Sequence, residues 1–542
     1  MQSLLFEYVF LILIILALIM VSEKLRIAYP IVLVLGGLAL SFVNEFSKIT
    51  IDPELIFFLF LPPLLYEAAW QTSWKEFWKW RRVIMSFAFP IVIITSSVVA
   101  YLSSAIIPGF TLALGFLLGG IVSPPDAISA TTIMRNVRVP KSLVSIIEGE
   151  SLLNDASSLI VFRFALAAVV TGQFHLKEAT TSFLLVIVMG TLIGLLVGLL
   201  FYFIHRWLPT TSSIEVVLTL VTPYCMYCAA EYFHFSGVLA VVSGGLFLSN
   251  KRQVMLTYRS RIEGVNVWTN VVFVFNGLIF LLIGLQMVSI TRQLGKVSLA
   301  SAIWYGLAIS FVLIVTRLIC TFGSAILTRF LSRFITVADA NPGWQMPLIS
   351  GFAGMRGVVS LASALSVPFL LNGEKVFPYR NLILFITFVV ILVTLILQGL
   401  TLPWIIKRVN LEDKFGILSE NRQELVIQKK IAESSLRFLN ENYADALPTN
   451  VHLRNLQERL IIDSRFFDTE DEQLDGEKQA SLGTFQQIYL KLLEAQRSLL
   501  TSINHREEFD DDVIKKYLSL IDMEELKVQE KLLPDVDTAS GA

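Results

Sequence analysis

Gly149-Glu150-Ser151-Leu152-Leu153-Asn154-Asp155 runs directly into a largely apolar stretch, residues 156–170, whose one charged residue is Arg163. Two carboxylates and an amide therefore stand at or inside the edge of a membrane segment. Ionisable groups there are expensive, and they normally face a bundle interior or a water-filled path. Four more apolar segments carry such a charge: Glu67 within 57–70, Asp126 within 110–132, Arg317 within 303–322 and Arg356 within 346–371. Charge placed in five separate segments points to an ion crossing the bilayer between them.

The rest of the chain agrees with a membrane setting. Of its 542 residues 55% are hydrophobic and 16% charged, and the mean hydropathy is +0.68, which excludes an ordinary soluble protein. The net charge of -1 conceals a split: residues 1–410 sum to +10 and residues 411–542 to -11. Cys225, Cys228 and Cys320 all lie in apolar segments, so they read as packing residues, and His175, His205 and His234 as interfacial ones.

Apolar runs of spanning length fall at about residues 3–22, 29–45, 53–70, 83–105, 110–132, 142–171, 179–205, 213–231, 235–249, 263–289, 297–328, 345–371 and 381–406. The expected fold is an all-α polytopic membrane protein of about 13 segments. Loops after odd-numbered segments hold 16 Lys and Arg, those after even-numbered segments 6. By the positive-inside rule the N-terminus is expected outside and the C-terminus in the cytoplasm of a cell-membrane protein. Segment 1, followed by Lys24 and Arg26, reads as a retained helix. Past residue 410 charged residues interleave with Leu and Ile at helical spacing over 423–439, 451–467, 485–500 and 513–528. Two domains are expected: a transmembrane domain, 1–410, and an acidic helical cytoplasmic domain, 411–542, with the run 468–476 as a solvated loop.

Residues four apart share a helix face, so Ser151 and Asp155 form one stripe and Glu150 and Asn154 the next. The first offers a hydroxyl and a carboxylate suited to a partly dehydrated cation; the second can bond cationic residues on other helices. Pro124-Pro125 precede Asp126 inside segment 5 and remove the amide partners of the Gly120 and Ile121 carbonyls. Gly351-Phe-Ala-Gly354-Met-Arg356-Gly357 offers a second break in segment 12. Broken membrane helices line cavities and mark transporter sites near the midplane. Segments 5 and 12 are placed alike if segments 1–6 and 8–13 are inverted repeats. Glu67 follows another proline-loosened stretch, Leu61-Pro62-Pro63.

Phe60-Leu-Pro-Pro-Leu-Leu-Tyr66-Glu67-Ala-Ala, the Asp126 break, Gly149-Glu150-Ser-Leu-Leu-Asn154-Asp155 and Gly354-Met-Arg356-Gly357 together resemble the monovalent cation/proton antiporters of the NhaP and NHE type, over about residues 1–410. The match includes the 29 residues from Asp126 to Asp155. The resemblance implies that Asp155 binds the cation or the proton, that Ser151 and Asp126 are its companions around the transported Na⁺, and that Glu67 lies near the site. It implies that Glu150 pairs with Arg356 and that Asn154 faces Arg317, an arrangement that goes with electroneutral exchange. It also implies a homodimer. Many relatives place proline directly after the broken-helix aspartate, whereas here Ala127 follows it.

On this reading Na⁺, or K⁺ or Li⁺, competes with H⁺ for Asp155 as the site opens alternately to the two sides, with no cofactor and no nucleic acid involved. A cation channel with a charged pathway is the alternative. An intramembrane hydrolase finds no support, since neither H-E-x-x-H nor G-x-S-x-G occurs.

Overall fold

The computed structural model describes residues 2–25, 27–43, 53–134, 137, 139–172, 176–294, 297–334, 337–339, 341–371, 375–409, 411, 420–448, 450–466, 475–503 and 511–532. Arg26, Lys48, Arg135, Arg138 and Lys296 of the loop-charge comparison, His175, and the acidic run at 468–474 lie outside them. The chain divides into two compact units, Met1–Asp413 and Lys414–Ala542.

The first unit is helical: α1 (Gln2–Leu25), α2 (Tyr29–Leu40), α3 (Pro53–Gln71), α4 (Trp74–Ser86), α5 (Val92–Ile106), α6 (Leu112–Val122), α7 (Ala127–Met134), α8 (Lys141–Thr171), α9 (Leu176–Trp207), α10 (Ser212–Tyr232), α11 (Gly237–Met255), α12 (Tyr258–Arg292), α13 (Leu299–Leu331), α14 (Gln345–Phe352), α15 (Val358–Leu365), α16 (Arg380–Val393) and α17 (Gly399–Val409). A two-residue hairpin pairs Leu370–Leu371 with Lys375–Val376. Helix starts follow the usual chemistry: Thr111, Thr211, Ser236, Thr257 and Ser298 each accept a bond from an N–H three residues on.

Among the described residues, eight helical stretches are long and apolar enough to cross a membrane. The other expected runs are also helical, wholly or in part. Leu192, Leu196 and Leu200 on α9 are exposed side by side, as expected of a face turned to lipid.

Residues 74–82 depart from the sequence reading, which placed them in a loop. They form α4, which continues through a π-helical turn at Phe87–Ile91 into α5. Apolar residues Phe77, Trp80 and Ile84 recur on one side of α4, so the basic segment is amphipathic and gains a packed face by coiling. The π turn takes up Pro90, which an unbroken α-helix would not accommodate.

α6 is held between α5 and α8 by backbone approach. A Cβ on Gly119 would stand 2.5 Å from the Ser96 carbonyl of α5, and one on Gly120 2.8 Å from the Phe162 nitrogen of α8. A side chain at Gly119 would push the end of α6 away from α5, and one at Gly120 would push it away from α8.

The second unit contains α18 (Glu420–Asn442) packed on α19 (Val451–Phe466), and α20 (Asp475–Ile503) packed on α21 (Asp511–Leu532). Arg497 of α20 reaches Asp522 and Glu525 of α21, each at 2.6 Å. The two carboxylates hold its guanidinium above the ordinary arginine range.

Candidate functional site

Two interrupted helices meet beside α8. The first interruption, Ser123-Pro124-Pro125-Asp126, separates α6 from α7; the second, Ala353 to Gly357, separates α14 from α15. An N–H at position 126 of a continuous helix would bond the Val122 carbonyl. Here the Asp126 N–H donates to the Met355 carbonyl at 2.6 Å, and Arg356 Nε donates to the Val122 carbonyl at 2.9 Å. Arg356 also donates to the carbonyls of Ser123, at 3.4 Å, and Gly354, while its own N–H donates to Thr394 Oγ1 at 3.2 Å. Each interruption thus satisfies backbone groups that the other leaves open.

Asp126 caps α7. Its Oδ1 accepts from the Ile128 N–H at 3.1 Å, and its Oδ2 accepts from the Ser129 hydroxyl at 2.7 Å and the Ser129 N–H at 3.4 Å. Gly357 lies against the same carboxylate: a Cβ there would stand 2.2 Å from Asp126 Oδ2. A residue with any side chain at 357 would displace either the cap or the start of α15.

α8 passes this crossing with its polar face inward. Ser151 Oγ accepts from the Ala127 N–H at 3.1 Å, and Asn154 Nδ2 donates to the Pro125 carbonyl at 3.4 Å. Asp155 is 7% exposed, and among the described residues no donor bonds its carboxylate. Asp126 is close enough to interact with it electrostatically. A carboxylate buried this way is stable only with its charge compensated, by a proton or by a cation. Glu67 is half-buried on α3, which packs against both α8 and α15, and it accepts a bond from Gln71.

The expected pair of Glu150 with Arg356 is not the one formed. Arg317 of α13 grips Glu150, NH1 to Oε1 at 2.7 Å and NH2 to Oε2 at 2.9 Å, and also donates to the Ser350 carbonyl at 3.2 Å. Arg317 therefore answers Glu150, and the expected approach of Asn154 to Arg317 is replaced by the Asn154 bond to Pro125. The cause lies in the breaks. The exposed carbonyl end of α6 carries partial negative charge and free lone pairs, and it takes the arginine next to it. Arg317, on an uninterrupted helix, keeps its planar fork for the carboxylate. Gly354 makes room for that fork, since a Cβ there would stand 2.3 Å from Arg317 Nε.

Farther out, Arg163 pairs with Glu231 at 2.5 Å, and Arg380 donates to the Val367 and Leu365 carbonyls at the end of α15, at 2.7 and 3.4 Å. Sequence reasoning did not single out Ser129, Thr394 or the Met355 carbonyl. Only the first left a signal: an aspartate before a short helix with a hydroxyl three residues on is a capping pattern.

The sequence profile of the transmembrane sodium/hydrogen exchangers matches residues 10–408. The chain is similar to a sodium, potassium, lithium and rubidium/H⁺ antiporter of Bacillus pumilus, with 31% identity over 77% of this chain and 62% of that protein. It is 29% identical to the Escherichia coli Na⁺/H⁺ exchanger YjcE over 93% of this chain and 95% of that one. It therefore spans less than two thirds of the Bacillus relative but nearly all of the E. coli one. Among solved structures, the sodium proton antiporter MjNhaP1 from Methanocaldococcus jannaschii superposes with a TM-score of 0.59 over 73% of this chain and 99% of that one, at 19% identity, and so shares its fold.

Proposed function

Because the chain belongs to the sodium/hydrogen exchanger family, we propose that this multi-pass membrane protein exchanges a monovalent cation for H⁺, with Asp155 as the group the two compete for. Na⁺ is the first candidate, and the name of the Bacillus relative extends the class to K⁺ and Li⁺. The observation that carries the reading is the buried Asp155 carboxylate, bonded by no donor among the described residues and set beside two crossed helix breaks.

One carboxylate that holds either a proton or a monovalent cation, never both, moves no net charge per turnover. Exchange is then electroneutral, one for one. Ser151 and Asp126 complete the cation site: each has lone pairs left after its recorded bonds. Asn154 and Glu67 adjust it, and Glu150–Arg317 and Arg356 are structural. Alternating access follows from movement of the crossed-break core, as in two inverted repeats of a 13-segment architecture. The protein works as a homodimer in the cell membrane, its N-terminus outside and the acidic unit cytoplasmic, where that unit regulates exchange.

The test is purified protein in liposomes carrying an internal pH dye, titrated with Na⁺, K⁺ and Li⁺ under a valinomycin-clamped potential. Cation-driven proton movement that ignores the clamped voltage is expected. Current that scales with sodium and no coupled proton flux would instead identify a channel.

A further inference from the structure

The helical stretch Trp74–Ile106 has 33 residues, about 50 Å at 1.5 Å per residue, whereas a bilayer's hydrocarbon core is about 30 Å thick. A stretch of that length outruns the hydrocarbon, and its charged end, the first turns of α4, is the end suited to the headgroup layer. Those turns carry Trp74, Lys75, Trp78, Lys79 and Arg82, all exposed and spaced to share one face of α4. Trp74 and Trp78 stack with ring centroids 5.8 Å apart, and Arg81 lies over the Trp78 ring at 4.5 Å. Glu76, the single acidic residue of α4, bonds Trp80 Nε1 and pairs with Lys79 at 3.9 Å. α4 holds four cations and one carboxylate, and three of the cations, Lys75, Lys79 and Arg82, lie on this face. The same stretch continues with exposed Met85, Ile93 and Ile94, so apolar surface for acyl chains follows the charged end.

We propose that the Trp74/Lys75/Trp78/Lys79/Arg82 face of α4 binds the phosphodiester headgroups of anionic phospholipids. Cations recruit the phosphates, and the tryptophans take the interfacial position their amphipathic rings favour. Bound lipid also reaches the site of exchange, a consequence that rests on the function proposed above. α4 and the π turn after it are fastened to α8 on both sides of Asp155. A Cβ on Gly149 would meet Ile84 at 2.6 Å, and Ser157 Oγ donates to the Ala88 carbonyl at 2.5 Å. A headgroup that holds α4 holds α8 with it.

The test uses the full chain in detergent, titrated with phosphatidylglycerol or phosphatidylcholine and read by native mass spectrometry, for wild type, the K75Q/K79Q/R82Q variant and the K75R/K79R/R82K variant. An interfacial basic residue contributes about fivefold in affinity, so the loss of three should weaken phosphatidylglycerol binding on the order of a hundredfold. Phosphatidylcholine binding should not change, and the charge-preserving variant should match wild type. Equal phosphatidylglycerol retention by wild type and the glutamine variant overturns the proposal, as does wild-type binding of both lipids alike. Displacement by millimolar inorganic phosphate overturns it too, because the site would then be one for a soluble anion. In liposomes, wild type should respond to added phosphatidylglycerol while the glutamine variant does not, and the two should exchange equally in phosphatidylcholine alone. Exchange absent in every lipid would count against the proposed function and leave the binding result standing.

Discussion

Arg317 closes on both oxygens of Glu150, at 2.7 and 2.9 Å, with the two side chains 2% and 1% exposed. The pair ties α13 to α8 one turn before Asp155. Removing one partner strands the other charge, a loss of about 3 to 5 kcal/mol for a buried pair. Glu150→Ala and Arg317→Ala should each unfold at lower temperature in detergent, and the double variant should lose less than the sum of the two. The same cycle run with Arg356→Ala should show weaker coupling to Glu150, since Arg356 bonds carbonyls. Equal coupling energies in the two cycles would contradict the geometry.

Asp155→Asn keeps the size of the side chain but cannot cycle a proton. The variant should fold and insert like wild type, as judged by size-exclusion profile and melting, and show no cation-driven proton movement in liposomes. Ordinary exchange by a folded Asp155→Asn protein would move the competition site elsewhere.

Asp126 is expected to separate structure from transport. Asn at this position keeps an oxygen for the Ser129 cap, whereas Ala leaves the first turn of α7 without it, a loss of about 1 kcal/mol. Asp126→Ala should therefore melt below Asp126→Asn, while both impair cation dependence. Gly357→Ala should be worse than either for stability, because its methyl would enter the space of Asp126 Oδ2. Thermal unfolding of the three proteins side by side gives the order.

A chain ending at residue 413, where the first compact unit ends, should still insert and exchange. Its cation and pH dependence should shift relative to the full chain, as measured in the same dye-loaded liposomes. Complete loss of exchange by a stable, inserted truncation would make the acidic unit part of the transport machinery.

Much of this arrangement was legible in the residues. Pro124-Pro125 announce a break because the ring removes a donor whatever surrounds it, and the polar stripe of Ser151 and Asp155 follows from helical spacing alone. Partner choice was not legible in the same way. Whether Glu150 meets Arg317 or Arg356 depends on which arginine lies beside open carbonyls, and that follows from how two distant segments cross. The basic stretch at 74–82 reads as a loop in the sequence because its charges hide an apolar face, which counts only once α8 is there to receive it. Asp126 looked like a ligand by its placement, and its three recorded bonds show that it also starts a helix.

The reciprocal bonding of Asp126 to Met355 and of Arg356 to Val122 carries a consequence for how this protein can vary. Neither interruption is self-sufficient, so a change that closed one into a regular helix would leave backbone groups of the other open in the buried interior of the bundle. Residues 122–126 and 354–356 are therefore expected to change together across descendants of a common ancestor. A chimera that takes one interruption from a distant homologue and keeps the other should fold poorly until both are exchanged.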